Sequence, residues 1–334
     1  MQKPFVSVII PVYNEVRYID EMVASVIGQQ HDSFNLELLI VDGGSTDGTT
    51  AKIETLAQNN TLIRVIHNSK KISPAAFNLG IQHAKGNYIA ILGAHSKYDK
   101  DYLAICLEEA ITHHCAGCSG KIVVAKNDAD IQSVLIYYML TSSFGVSSKS
   151  YRTAKEGISE QCPYPVFEKS IFNEVGWYNE QLVRNQDNDM NYRIMQAGHK
   201  LYYTHKVSAY YYPKQTIKGL FDYAKLTGKW NAVSLQLNPG SMGLRHVVPF
   251  IFCSGLLGLL LGTLATAFLM PQIMVYFLWP LLFIIGLHLS CGLVVAISAF
   301  TNTKKAILFV LPFLFFSFHF LYGYGTLHKL VTGK

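Results

Sequence analysis

The chain is expected to fold as an α/β domain on a mostly parallel sheet with helices on both faces, followed by a C-terminal transmembrane helical region. Three observations lead there. Short β-branched runs alternate with helical patterns through the first two-thirds of the sequence. Each of those runs ends in a polar or glycine-bearing loop. From Val247 onward, apolar stretches take over that reach the roughly 20 residues a spanning helix needs.

The elements follow in order. "FVSVIIPVYN" (residues 5–14) has the run of β-branched residues typical of a buried parallel strand. A helix should follow, capped by Asn14, with Ile19, Met22, Val23, Val26 and Ile27 on one face. In "LELLIVDGGSTDGTTAKIETLA" the strand ends at Val41, Asp42 opens a loop, and a second helix starts near Asp47. "LIRVIHN" supplies a third strand. In "SPAAFNLGIQHAKG" Ser73 caps a helix, Pro74 takes its first position and Gly86 ends it. "NYIAILGAHSKYDKDYL" gives a fourth strand, Tyr88 to Leu92, that delivers His95 to the rim of the sheet. Such alternation implies parallel strands joined by right-handed crossovers. Further on, Asp187, Met190, Ile194 and Ala197 have helical spacing and Gly198 is the stop. Asp187 and Asp189 then lie in the first turn, where the helix dipole favours carboxylates.

The apolar stretches at residues 247–269, 273–300 and 306–327 read as three membrane helices, with Pro280 and Pro312 as kinks or marks of a re-entrant piece. Two histidines inside them, His288 and His319, are read as a helix–helix hydrogen bond in preference to a substrate contact. The division is a domain over residues 1–230, a basic linker over 231–246 and a membrane region over 247–330. Lys225, Lys229 and Arg245 precede the first helix and Lys304 and Lys305 separate the last two, whereas residues 270–272 carry no charge. The positive-inside rule therefore puts the N-terminal domain in the cytoplasm of a multi-pass inner-membrane protein. Lys329, beyond the third helix, runs against that arrangement. The N-terminal apolar run is too short for a signal peptide. The formal charge of +6 suits an anionic membrane surface or a phosphorylated substrate. No basic stripe is interleaved with aromatics, which argues against nucleic acid. The six cysteines read as reduced thiols, because "HHCAGC" has no second ligand pair at a workable distance for zinc.

In open α/β sheets ligands bind beyond the carboxyl ends of the strands. Three of those ends are chemically loaded here: residues 11–15, 42–47 and 93–95. Asp42 is followed by two glycines that let a ligand approach the backbone, and no G-x-G-x-x-G is present. Taken alone, Asp42 and Ser45 equally read as helix caps.

"SVIIPVYNE", "VDGGSTDGT", "NLGIQHAKGNYIAIL" and "NQDNDMNYRIMQAG", in this order, resemble a family 2 glycosyltransferase of the GT-A fold. Within that family the chain is similar to bacterial exopolysaccharide transferases of the succinoglycan type, which also carry a stretch like "LRHVVP" ahead of their membrane helices. The resemblance implies a nucleotide-sugar donor, with Pro11, Tyr13, Glu15 and Asp42 holding base and ribose and Lys71 reaching ribose or phosphate. The family's acid pair after the fourth strand falls on Gly93 and His95. His95 then takes the place of the ligand to a divalent metal, Mn²⁺ or Mg²⁺, a role imidazole can fill. The acid that touches ribose is missing at Gly93. Asp187 becomes the general base, with Gln186 where the family has Glu. Asp189, Lys229 and Trp230 fall to the acceptor or phosphate side, although Trp230 equally reads as an interfacial anchor. The expected activity is inverting transfer of one sugar per encounter to a membrane acceptor, a polyprenyl-diphosphate-linked saccharide, in exopolysaccharide or capsule synthesis. The rival is a degenerate, non-catalytic membrane scaffold or partner-binding subunit, for which Gly93 and Gln186 speak. A nucleotidyltransferase would need a Gly-rich phosphate loop after the first strand, and "PVYNEVRY" is not one.

Overall fold

The computed structural model describes residues 3–29, 33–146 and 155–333. Along the chain run β1 (Phe5–Val12), α1 (Ile19–Ile27), β2 (Asn35–Asp42), α2 (Thr49–Asn59), β3 (Ile63–His67), α3 (Ser73–His83), β4 (Tyr88–Ile91), β5 (Ser96–Tyr98), α4 (Tyr102–Thr112) and β6 (Gly117–Val124). Then come α5 (Ile131–Thr141), α6 (Ser143–Val146), β7 (Gly157–Ile158), β8 (Val166–Glu168), α7 (Ile171–Val175), α8 (Gln186–Gln196) and β9 (Leu201–Tyr211). The last four helices are α9 (Ile217–Leu237), α10 (Leu244–Leu269), α11 (Val275–Thr303) and α12 (Leu311–Thr332). Two compact units result: Met1–Ala125 with Ala154–Pro213, and Lys126–Thr153 with Lys214–Lys334.

The first unit is built on one sheet with the order β3-β2-β1-β4-β8-β6-β9-β5, and β7 pairs with β9. Its first four strands are parallel. Beyond β4 the sheet is mixed: β8 is antiparallel to β4 and to β6, β6 is parallel to β9, and β5 and β7 are antiparallel to β9. The register brings the carboxyl ends level, since Val12 pairs with Asp42 and Asp42 with His67. The ladder continues one residue further through Gly43 N–H to Val12 C=O (2.9 Å) and Asn68 N–H to Asp42 C=O (2.8 Å). Ile9, Leu39, Val41, Phe77, Ile81, Phe167, Met190 and Ile194 form one core cluster that includes residues of α3 and α8. Each such side chain contributes about 1.5–3 kcal/mol on burial. α3 approaches β1 closely, since a Cβ built on Gly80 would lie 2.3 Å from Ile9.

Helix faces emerge as expected, with Ile19, Met22, Val23 and Val26 buried on α1. Two caps do not. Asn14 stands outside α1, whose N-cap is Tyr18 without a side-chain cap. Asn14 is instead in the left-handed region (φ 57°) and accepts from Thr46 N–H at 2.8 Å. Ser73 is the first residue of α3, one position past the N-cap Ile72, with Pro74 behind it.

The second unit is helical. α10, residues 271–303 and residues 306–332 are long and apolar enough to cross a membrane. Pro280 lies inside α11, whereas Pro312 sits at the start of α12, where proline is tolerated. Backbones touch where glycines allow it: a Cβ on Gly228 would lie 1.8 Å from Tyr322 O, one on Gly325 2.0 Å from Lys225 O, and one on Gly323 1.9 Å from Pro249 O. Such close approach of small residues is the usual means of packing apolar helices. Thr326 Oγ1 donates to Gly228 O at 2.8 Å across the same contact. His288 Nε2 and His319 Nδ1 are 3.0 Å apart, and His319 Nε2 is 3.3 Å from Gly145 O.

Candidate active site

The loops that leave β1 and β2 are sewn together. Asn14 N–H donates to Ser45 Oγ (2.9 Å), Glu15 N–H to Thr49 Oγ1 (2.9 Å) and Val16 N–H to Asp47 Oδ2 (3.2 Å). Thr49 in turn donates its hydroxyl to Asp47 Oδ1 at 2.6 Å, and this bond holds the Asp47 carboxyl below its ordinary range. Asp42 is buried at the corner and accepts from Ser45 N–H (3.1 Å), Ser45 Oγ (2.7 Å) and Thr50 Oγ1 (2.7 Å). Its carboxylate shapes the loop but does not cap α2, whose N-cap is Gly48 without a side-chain cap. Above it the surface is bounded by the exposed ring of Tyr13, 3.3 Å from a Cβ placed on Gly43, and by Lys71, whose Nζ lies 3.8 Å from one placed on Gly44. Gly44 itself adopts φ +78°, which an L side chain rarely does.

Glu15 carries this corner to β4. Its Oε1 is 3.1 Å from His95 Nδ1, and the His95 ring lies 5.4 Å from that of Tyr211. One imidazole and one carboxylate therefore meet at the third strand end. Among the described residues no group of three His, Cys, Asp or Glu side chains could hold a metal. That pair offers one carboxylate, the donor type Mg²⁺ and Mn²⁺ favour, and one imidazole, so an ion held there would take its remaining ligands from substrate phosphates and water.

The gap at Gly93 has an occupant. A Cβ on Gly93 would lie 2.8 Å from Tyr164 Cε1 and 3.0 Å from Tyr164 Oη. Ser96 Oγ donates to that phenol at 2.8 Å, and the Tyr164 ring meets Tyr98 edge-on at 5.7 Å. Tyr98 Oη takes the Gly93 N–H (2.7 Å) and donates to Gly93 C=O (3.1 Å). Burial pushes the Tyr98 phenol well above its ordinary pKa, so it remains a donor. No side chain fits at Gly93 while Tyr164 stands there.

Asp187 is exposed in the first turn of α8 and accepts from Asn188 N–H at 2.9 Å. The approach to that turn is pinned to α3 and the loop before it: Asn78 Nδ2 donates to Tyr178 O (2.9 Å), Tyr178 N–H to Asn78 Oδ1 (2.9 Å), and Lys70 Nζ binds Glu180 at 2.5 Å. Burial first, and the Asp187 charge second, push the Tyr178 phenol well up. Gln186 keeps a buried amide oxygen without a partner. Asp189 departs from the acceptor-side expectation. It is buried and paired with Arg193 Nε at 3.0 Å, and Arg193 donates to the backbone carbonyls of Val175, Gly176 and Trp177. Its carboxylate anchors a turn. Lys229 and Trp230 lie on α9 in the helical unit and not in the sheet unit. Sequence reasoning missed Tyr164, Tyr98, Asn78 and the Lys70–Glu180 pair. Asn78 opens the stretch "NLGIQHAKGNYIAIL" without having been given a role, the others lie in no motif, and the adjacency of Lys70 to Lys71 was a further hint.

The mixed α/β sheet, with its loaded loops at the carboxyl ends of the parallel strands, is a glycosyltransferase GT-A fold. Residues 7–172 match the family described as Glycosyl transferase family 2, and the chain carries a domain of that family. It is a nucleotide-sugar glycosyltransferase. It is 27% identical over 99% of its length to a dolichyl N-acetyl-alpha-D-glucosaminyl phosphate 3-beta-D-2,3-diacetamido-2,3-dideoxy-beta-D-glucuronosyltransferase of Methanococcus voltae, covering 98% of that protein. It is also 27% identical over 76% of its length to the succinoglycan biosynthesis protein ExoA of Rhizobium meliloti, covering 77% of it. In fold it is similar to the mannosyltransferase PcManGT of Pyrobaculum calidifontis, solved with GDP-Man and Mn²⁺ (TM-score 0.58, 16% identity, 100% of this chain and 89% of that one).

Proposed function

We propose that this chain transfers one sugar, with inversion, from a nucleoside-diphosphate donor to a lipid-linked saccharide at the cytoplasmic face of a membrane, in polysaccharide synthesis. The observation that carries the reading is the continuous corner formed by Tyr13, Glu15, Asp42, Lys71 and His95 through the Asn14–Ser45 and Glu15–His95 contacts. The acceptor class rests on the relatives, one of which is named for a dolichyl phosphate-linked saccharide and the other for succinoglycan synthesis. The three apolar helices agree with it.

In the proposed reaction Pro11, Tyr13 and the Asp42 corner receive base and ribose. Asp187 takes the proton of the acceptor hydroxyl as its oxygen attacks the anomeric carbon. The bond from that carbon to the diphosphate breaks, and the electron pair leaves with the nucleoside diphosphate. Lys71 offsets the charge that grows there. His95 and Glu15 would hold a divalent metal, Mn²⁺ or Mg²⁺, which when bound supplies further positive charge beside the phosphates.

The test is Asp187→Asn in the full chain in detergent, with released nucleotide and calorimetric donor binding both read. Transfer should fall about 10²- to 10⁴-fold with donor affinity kept. Near-full turnover would refute the assignment. Absence of donor binding by the unmodified chain across a broad nucleotide-sugar panel, with Mn²⁺ present, would favour the scaffold reading.

A further inference from the structure

We propose that α12 does not cross the membrane but lies along the interface on the side of the N-terminal domain. The chain then spans twice, through α10 and α11, and ends on the side where it begins. Length and apolar composition alone make α12 a third span. The contacts within the helical unit place it otherwise.

α10 and α11 form an antiparallel pair. Phe252 stacks on His288 with ring centroids 4.7 Å apart, and ten residues further down α10 a Cβ on Gly262 would lie 2.4 Å from Phe277. Advancing along α10 thus retreats along α11. Against this pair the ring, glycine and hydrogen-bond contacts of α12 fall at one level. Its start meets α11 at Gly292, where a built Cβ lies 2.7 Å from Pro312 Cα. Phe316 reaches both His288 (5.4 Å) and Phe252 (5.6 Å), and His319 bonds His288. Gly323 rests on Pro249 and Cys253 of α10. The windows used on α10 (249–253) and α11 (288–292) are each about 6 Å tall, whereas α12 advances about 16 Å between Pro312 and Gly323. A helix that gains so little height over that length runs across its neighbours.

The level of that crossing is one edge of the bilayer. From it α10 continues about 24–30 Å to its end at Leu269, close to the roughly 30 Å of a hydrocarbon core. The link after Leu269 then sits at the far edge. Independent support comes from α9, which packs on α12 through Gly228, Gly325 and the Thr326–Gly228 hydrogen bond. α9 exposes Lys218, Asp222 and Lys225 along its length. A helix bearing those charges cannot accompany a partner through hydrocarbon, but both fit at the headgroup level. The arrangement also puts Lys329 on the same side as Arg245, Lys304 and Lys305, which removes the one conflict with the positive-inside rule.

The test uses the full chain in native membranes. Single epitope tags are placed at the N-terminus, in the 270–274 link, between Lys304 and Lys305, and at the C-terminus. Each is assayed by protease removal in right-side-out and inside-out vesicles. The N-terminal, Lys304 and C-terminal tags should be removed in inside-out vesicles and protected in right-side-out ones, with the 270–274 tag behaving oppositely. A C-terminal tag that behaves like the 270–274 tag overturns the proposal in favour of three spans. A 270–274 tag on the N-terminal side overturns it by denying the two-span hairpin. Comparing tagged with untagged protein for nucleotide release keeps a misfolded insertion from being counted.

Discussion

Gly93→Asp would restore the acid that resembling enzymes carry beside the metal position, and the structure says it will be resisted by one residue. The new Cβ would stand 2.8 Å from Tyr164 Cε1, closer than real Cβ atoms essentially ever come, and 3.0 Å from Oη, tighter than most. Tyr164 cannot swing freely, because Ser96 donates to its hydroxyl at 2.8 Å and Tyr98 packs against its ring. Overpacking of this kind costs about 1–3 kcal/mol, and displacing the phenol adds about 1 kcal/mol for the lost hydrogen bond. The sum, roughly 2–4 kcal/mol, should lower the midpoint of thermal unfolding by about 5–15 °C for a unit of this size. Tyr164→Ala removes the obstacle, so Gly93→Asp made in that background should recover about 1–3 kcal/mol of the penalty. The assay is thermal unfolding of the full chain in detergent, read by a thiol-reactive dye. Cys106, Cys118 and Cys162 are buried in the sheet unit and report its opening. Additivity of the two substitutions within about 0.5 kcal/mol would refute the steric argument. If the double variant also gains metal affinity by calorimetry, Tyr164 is what keeps the acid out of the site.

In the helical unit, Gly228→Leu and Gly325→Leu each drive a side chain into backbone at 2.0 Å or less, whereas Gly255 has open space around it. The first two should abolish recovery of membrane-inserted protein and Gly255→Leu should leave it unchanged, as measured by detergent-extractable yield. The Lys70 hydrogen bond depresses the Glu180 pKa, so its contribution is present above the ordinary value of 4.5 and lost as pH falls through the depressed one. The exposed pair is worth little in stability; the expected sign is that the unmodified chain loses more stability than Glu180→Gln between pH 5 and 3, and equal losses in a pH series of unfolding midpoints would contradict it. Arg193→Lys cannot reproduce the fork that holds three carbonyls and Asp189, so it should lower transfer along with unfolding midpoint, whereas Arg64→Lys on the edge strand β3, where Arg64 pairs with Glu37, should spare transfer.

What could be read from the sequence was local, and what could not was set by partners distant in the chain. The run Val6–Ile10 announces a buried strand because β-branched side chains fit a pleat covered on both faces, and Gly198 announces a helix end because its φ of +86° suits glycine. The loop motifs gave away the strand-end corner for the same reason, since Asp42, Ser45 and Thr50 bond within eight residues of one another. Asn14 misled because a good capping residue also tolerates the left-handed region, and its true partner, Thr46, lies on the next loop. Gly93 read as a loss, although the space is filled by a tyrosine 71 positions later that no periodicity connects to it. Asp189 shows the limit most clearly. Two positions from Asp187 in sequence, it is interchangeable with it as a motif residue, yet side chains two positions apart on a helix point about 200° apart. One therefore stays exposed, as the proposed proton transfer requires, and the other turns inward to Arg193. A motif can count the carboxylates in a helix turn, but the division of labour between them follows from which face the core has already claimed.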